Sequence, residues 1–163
     1  MIVLGIDPGT QRIGYGLIEF SNGNFKLKKA GLFLIKSKDD PSVLLEAKIY
    51  IDQLIKKYKP NVLGIEKLFF ARNQKTAMSV AQTRGVILLS AKENNILIKE
   101  YAPNEVKSMI AGYGFADKKT VLKMVGLTLG IHDFKIIDDA SDALAIAIIT
   151  ASGSFENKIS NNY

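Results

Sequence analysis

Apolar and polar positions change their rhythm several times along this chain, and each change marks an element. Met1 to Ile6 is a short apolar run, rich in β-branched residues, that takes a carboxylate at Asp7 and stops at Pro8-Gly9. Such a run predicts a buried strand with Asp7 at its last position and Pro-Gly as its turn. Ile13 to Phe20 alternates large and small residues, and Ser21-Asn22-Gly23-Asn24 is a turn signal containing Asn-Gly. Phe25 to Ile35 alternates again, which puts Phe25, Leu27, Lys29, Gly31, Phe33 and Ile35 on one side. Three strands joined by short turns predict an antiparallel meander. Gly14 and Gly16 either reduce bulk on one face or let another backbone come close.

The period then lengthens. Asp40-Pro41 opens a helix whose apolar stripe is Leu44, Ala47, Ile51, Leu54, Ile55 and Tyr58, and Lys59-Pro60-Asn61 ends it. Val62 to Glu66 is a second short buried strand with an acidic last residue. The intervening helix makes this a crossover, laying the new strand parallel to an earlier one. Gln74 to Asn94 predicts a long helix with Ala77, Val80, Ala81, Ile87, Leu88 and Ala91 apolar, followed by a strand over Ile96 to Tyr101. A short helix from Pro103 to Ala111 is broken by Gly112-Tyr113-Gly114. Asp117 to Leu129 is helical, with Val121, Leu122, Val125 and Leu129 inward and Lys118, Lys119 and Lys123 outward. A last helix from Asp138 to Thr150 is apolar nearly all round, so most of its faces are buried. The reading is one α/β domain over residues 1–151, with 152–163 as a polar, flexible tail. No repeat or low-complexity tract interrupts it.

Composition narrows the class. A chain of 163 residues is large enough to bury about 68–70% of its unfolded surface without staples. It has no cysteine, which excludes disulfides and thiolate metal sites and fits a cytoplasmic protein. No apolar run is long enough to span a bilayer, and the first residues lack a signal-peptide pattern. Lys and Arg total 22 against 16 Asp and Glu, a net charge of +6. A basic surface favours a polyanionic partner such as nucleic acid.

Against that basic background, carboxylates recur at telling places. Asp7 and Glu66 both end strands; if those strands are parallel neighbours, both side chains reach the crevice where α/β sheets bind ligands. Asp139 and Asp142 are three apart and share one face at the opening of the last helix. An ordinary structural role is available for each: Asp7 as a turn residue, Asp138 or Asp139 as an N-cap, Asp142 as a first-turn acid favoured by the helix dipole. That role does not explain why acids collect at three separate element ends. Four carboxylates with no arginine nearby in sequence are neutralised most economically by divalent cations, and all-oxygen ligation selects Mg²⁺ or Mn²⁺. Two such ions would serve to activate water and stabilise the leaving oxygen of a phosphodiester.

Five stretches, in order, carry a resemblance. They are Gly5-Ile6-Asp7-Pro8-Gly9-Thr10 with Gly14-Tyr15-Gly16, then Ile65 to Asn73, then Ala81 to Val86, then Tyr101 to Lys107, and Asp139 to Ala145. Together they resemble the RuvC family of Holliday junction resolvases, within the ribonuclease H-like superfamily. The resemblance implies a mixed five-stranded sheet, meander plus parallel strands, with helices on both faces. It implies an endonuclease that resolves four-way DNA junctions by paired symmetric nicks in recombination and repair, leaving a 3′-hydroxyl and a 5′-phosphate. By the same resemblance Asp7, Glu66, Asp139 and Asp142 are the catalytic, metal-holding carboxylates, with Mg²⁺ as cofactor and Mn²⁺ able to substitute. Asp138 is extra and competes with Asp139, which aligns with the motif. Lys67 stands where the motif often has Gln and adds positive charge.

The resemblance also implies DNA contacts. Phe69 stacks on a base near the junction centre while Phe70 packs, although adjacent aromatics are more often core. Lys107 and Lys118 match basic positions for phosphates; apart from the resemblance, Lys119, Arg72 and Lys75 are read from their charge and place in the chain as candidate phosphate contacts, against the ordinary role of a solvated face. Arg84 is read either as a similar contact or as part of a dimer. His132 is read as a surface or capping residue. The helix from Gln74 to Asn94, with small Ala77, Ala81 and Gly85, is expected to join a homodimer. The family's branch-migration proteins RuvA and RuvB are the expected associates. Two rivals stand beside this reading: a YqgF-like nuclease acting on RNA, and a junction-binding protein without catalysis. An actin-type ATPase shares the Asp-x-Gly-Thr strand but needs two such domains.

Overall fold

A computed structural model of the chain describes residues 1–68, 74–131 and 140–160, with backbone alone for 74–76 and 155–160. The β-branched run at the start forms β1 (Ile2–Asp7), the meander continues through β2 (Arg12–Ser21) and β3 (Asn24–Leu34), and α1 (Asp40–Tyr58) crosses over to β4 (Val62–Glu66). Then follow α2 (Gln74–Glu93), β5 (Leu97–Tyr101), α3 (Pro103–Ala111), α4 (Lys118–Leu129) and α5 (Ser141–Ser160). The five strands lie in the order β3-β2-β1-β4-β5. The first three are antiparallel, and β1, β4 and β5 run parallel. Helices cover both faces. One core gathers Leu4, Ile6, Leu63 and Ile65 against Ala47, Ile51 and Ile87 of α1 and α2; the other gathers Val3 and Ile18 against α3, α4 and the apolar length of α5.

α5 lies against the centre of the sheet because glycine makes room for it. Gly5 is paired with Gly16 on one side and Gly64 on the other, a row across β2, β1 and β4. A Cβ built on Gly5 would lie 2.6 Å from the Ala147 amide nitrogen, and one on Gly16 would lie 2.9 Å from Leu144 Cα. Over Gly64 sit Ile146 and Thr150. Every side chain from Ala143 to Ala151 is buried, as the apolar periodicity required.

Three expectations change. Phe25 and Leu27 do not share a side with Phe33 and Ile35. The β2–β3 register shifts between Leu17 and Ile18, where Lys28 has no partner, and this bulge reverses the parity. Phe25 and Leu27 therefore pack in the α5 core, Phe33 and Ile35 in the α1 core. In α1 the buried stripe begins at Val43, and Leu44 is only half-buried. The last helix continues ten residues past Thr150. Ser152 and Ser154 donate to the Ile148 and Thr150 carbonyls, and Lys99 of β5 donates to the Gly153 carbonyl at 3.2 Å. Small polar residues that satisfy themselves within the helix let it run on into the stretch expected as a tail.

Among the described residues no helix is long and apolar enough to cross a membrane.

Candidate active site

Strand alternation places the carboxylates. In β1 and β4, Gly5 and Gly64 face α5, so residues two further on, Asp7 and Glu66, face the same way at the strands' carboxyl ends. Ile6 pairs with Ile65 in parallel register, which brings the two acids side by side one residue later. Asp142 arrives from above, in the first turn of α5, where the helix dipole favours an anion. The glycine row that seats α5 thus also sets Asp142 over the two strand ends.

The electrostatics show how tightly these three are gathered. Burial pushes the Asp7 carboxyl up to about 6, with the Asp142 carboxylate adding to the rise and Lys118 opposing it. Burial pushes Glu66 up to about 7, reinforced by Asp7 and Asp142 and opposed by Lys107. Beyond burial, Asp7 is harder to ionise because of Asp142, and Glu66 because of both Asp7 and Asp142. The surrounding cleft, of about 300 Å³, has Glu66 and Asp142 on its floor, Lys107 and Lys118 at its rim, and Val106 and Val121 in its walls. Lys118 Nζ stands 3.3 Å from Asp142 Oδ2. Both side chains of that pair are well exposed, and such pairs contribute about 0–1 kcal/mol; Lys118 is free to exchange the carboxylate for another anion.

The donors are all oxygen, which suits a hard divalent cation, although among the described residues no three acids lie close enough together to hold one ion. A cation there would offset the burial and the repulsion that together raise Asp7 and Glu66.

A protein-family model described as crossover junction endodeoxyribonuclease RuvC matches residues 3–150, nearly the whole chain. The chain belongs to the RuvC family. The RuvC of Brachyspira hyodysenteriae is 47% identical with 99% of each chain covered. That of Fusobacterium nucleatum is 45% identical, covering 98% of this chain and 84% of the relative. Among solved structures, Thermus thermophilus RuvC in complex with Holliday junction substrate superposes with a TM-score of 0.85 at 26% identity, covering 94% of this chain and 96% of that one. The ribonuclease H-like class expected from the sequence agrees with the mixed sheet and two helical layers found here.

Of the residues expected at the site of this RuvC-family chain, Glu66, Asp142, Lys107 and Lys118 line one cleft, and the buried Asp7 couples electrostatically to Glu66 and Asp142. Lys119 is exposed beside them at the start of α4, and Lys67 is exposed just after β4. Asp138 and Asp139, Phe69, Phe70 and Arg72, and His132 lie outside the described residues; Lys75 lies in α2, where backbone alone is described.

Arg84 holds a place that neither sequence reading gave it. From α2 its Nε donates to the Glu66 backbone carbonyl at 3.0 Å, and its guanidinium pairs with the Glu100 carboxylate on β5. It is thereby turned inward, onto the end of the strand that carries Glu66. A sequence signal existed: Thr83-Arg84 interrupts the buried stripe of α2 with polar side chains, and Thr83 is fully buried. A polar pair on a packed face needs partners: Thr83 donates to the Ser79 carbonyl of its own helix, and the sheet end supplies those of Arg84.

Proposed function

We propose that this chain is a metal-dependent endonuclease that resolves four-way DNA junctions by paired symmetric nicks, with Asp7, Glu66, Asp139 and Asp142 holding the metal. The observation that carries this reading is the convergence of Asp7, Glu66 and Asp142 beside Lys107 and Lys118, with the ionisation of Asp7 and Glu66 opposed by burial and by neighbouring carboxylates. Mg²⁺, or Mn²⁺ in its place, would supply the Lewis acidity that lowers the pKa of water and stabilises the leaving oxygen of a phosphodiester. The protein's own residues do the rest. Asp7 and Glu66, once ionised, would hold the metal with Asp142, whose anion the start of α5 favours, and Arg84 fixes the backbone on which Glu66 sits. Lys107 and Lys118 hold phosphates over the acids, with Lys119, Arg72 and Lys75 extending the track and Phe69 stacking on an opened base. A non-catalytic junction binder is disfavoured, because unneutralised carboxylates would repel the phosphates that the rim attracts.

A homodimer would set two such sites for symmetric cuts. On α2, Met78, Gln82, Gly85 and Leu89 recur on one exposed stripe, and a Cβ on Gly85 would meet nothing within 4 Å among the described residues. An apolar stripe with a central gap suits the same stripe of a second copy. RuvA and RuvB are the partners this activity would work beside in the cytoplasm.

Metal holding is tested by melting the protein at pH 8 with increasing Mg²⁺ or Mn²⁺. A ligand at 100 times its Kd stabilises by about 2.7 kcal/mol. Wild type should melt higher as metal rises, while Glu66→Gln and Asp142→Asn should melt higher without metal and respond weakly to it. A metal response equal in all three would sink the ligand assignment.

A further inference from the structure

The loop between α3 and α4 holds a phenylalanine in water. Phe115 is 99% exposed, and Tyr113 in the same loop is 52% exposed. Leaving a Phe side chain hydrated forgoes about 1.5–3 kcal/mol of burial, and the loop is not a loose one that could fold the ring away. Gly112 caps α3 in the left-handed region, with φ +86° and its N–H donating to the Ser108 carbonyl. Ala116 is wholly buried in the α5 core and donates to the Tyr113 carbonyl. Asp117 then caps α4 by accepting from the Thr120 amide at 2.7 Å. The two anchored ends leave Phe115 outward.

The loop's position tells what it faces. Its flanking helices supply the cleft's rim lysines, Lys107 and Lys118. A Cβ on Gly114 would stand 3.4 Å from the Asn104 carbonyl, so the loop lies back along the first turn of α3, beside the cleft residue Pro103. Lys119 and Lys123 are exposed on α4, and the acid of this stretch, Asp117, is occupied as a helix cap. An exposed aromatic ring on a loop that leads into a helix with Lys118, Lys119 and Lys123 exposed suits an occupant that offers phosphates and planar rings together. We infer that Phe115 is a base-stacking contact for DNA at the rim of the active-site cleft, engaging a nucleotide that is unstacked at the branch point. Ordinary duplex has no free base face to offer, so the contact adds selectivity for opened DNA rather than general affinity. This inference rests on the junction nuclease reading and adds to it a second aromatic contact, distinct in sequence from Phe69.

The experiment compares Phe115→Ala, Phe115→Trp and, as a control on the far side of the sheet, Leu45→Ala, each as full chain. Binding of a synthetic four-way junction and of a matched linear duplex is measured over a range of salt. Loss of one stacked base is worth about 1–3 kcal/mol, so Phe115→Ala should bind the junction about 5- to 150-fold more weakly. Its salt slope should stay at the wild-type value, since no charge is removed. Phe115→Trp should recover junction binding, and Leu45→Ala should match wild type. Unchanged junction affinity in Phe115→Ala would overturn the inference, as would an equal loss on linear duplex. A shift from dimer to monomer on sedimentation of Phe115→Ala would overturn it in favour of a contact between copies. If wild type itself neither binds nor nicks junctions, the nuclease reading falls first and carries this one with it.

Discussion

Asp7 and Glu66 hold their protons to unusually high pH because they are buried and face other acids. Their carboxyls stand at about 6 and about 7 where 3.8 and 4.5 are ordinary. Between roughly pH 4 and 7 the folded protein therefore binds protons that the unfolded chain has lost, and stability falls as pH rises through that window. The contribution is fully present below pH 4 and gone above 7. Without metal, Asp7→Asn should melt above wild type at pH 8, and the gap should close towards pH 4 as the wild-type carboxyl becomes neutral; a gap independent of pH would contradict the raised value. Arg84→Met removes a charge-assisted hydrogen bond at the end of β4, worth about 1.5–3 kcal/mol, and an exposed ion pair to Glu100 on β5, worth about 0–1 kcal/mol. It should slow single-turnover cleavage more than it weakens junction binding, while Arg84→Lys recovers part of the rate. The acids were legible in the sequence because strand ends and helix starts can be read locally. Arg84 was not, since its partners lie 16 and 18 residues away across the sheet.

Among the elements, α5 is the one whose placement the site depends on. Its burial was legible from its all-apolar surface, but the glycine row beneath it was not: Gly5, Gly16 and Gly64 become neighbours only through strand register. Gly5→Ala would drive a methyl group into the Ala143–Ala147 turn, and overpacking of this kind costs about 1–3 kcal/mol. The helix should rise from the sheet and carry Asp142 with it. Cleavage is expected to fall further than the loss of stability accounts for, with activity assayed well below the melting temperature. Cleavage unchanged alongside a lowered melt would show that Asp142 does not depend on this seating. The bulge at Lys28 was hidden for a related reason, since an extra residue within Leu27-Lys28-Lys29 leaves the alternation on either side looking continuous. The serines beyond Thr150 looked like tail because composition does not reveal hydroxyls that bond back to their own helix.

At the scale of the whole molecule, a chain of net charge +6 carries acids at its cleft, and the proposed homodimer would present two such clefts to a junction with two-fold symmetry. The exposed stripe of α2 makes this testable apart from catalysis. Leu89→Lys should shift sedimentation from dimer towards monomer at working concentration, and should convert paired nicks into single ones while leaving the melting temperature within a degree or two. Symmetric resolution by a protein that sediments as monomer would refute the dimer. The central claim is tested most directly by incubating wild type and Asp7→Asn with Mg²⁺ on a synthetic four-way junction and on a matched linear duplex. Wild type should place paired, symmetric nicks in the junction and spare the duplex, while Asp7→Asn binds the junction without cutting it. A wild type that leaves the junction intact across a range of Mg²⁺ and Mn²⁺, or an Asp7→Asn that cuts as well as wild type, would contradict the assignment.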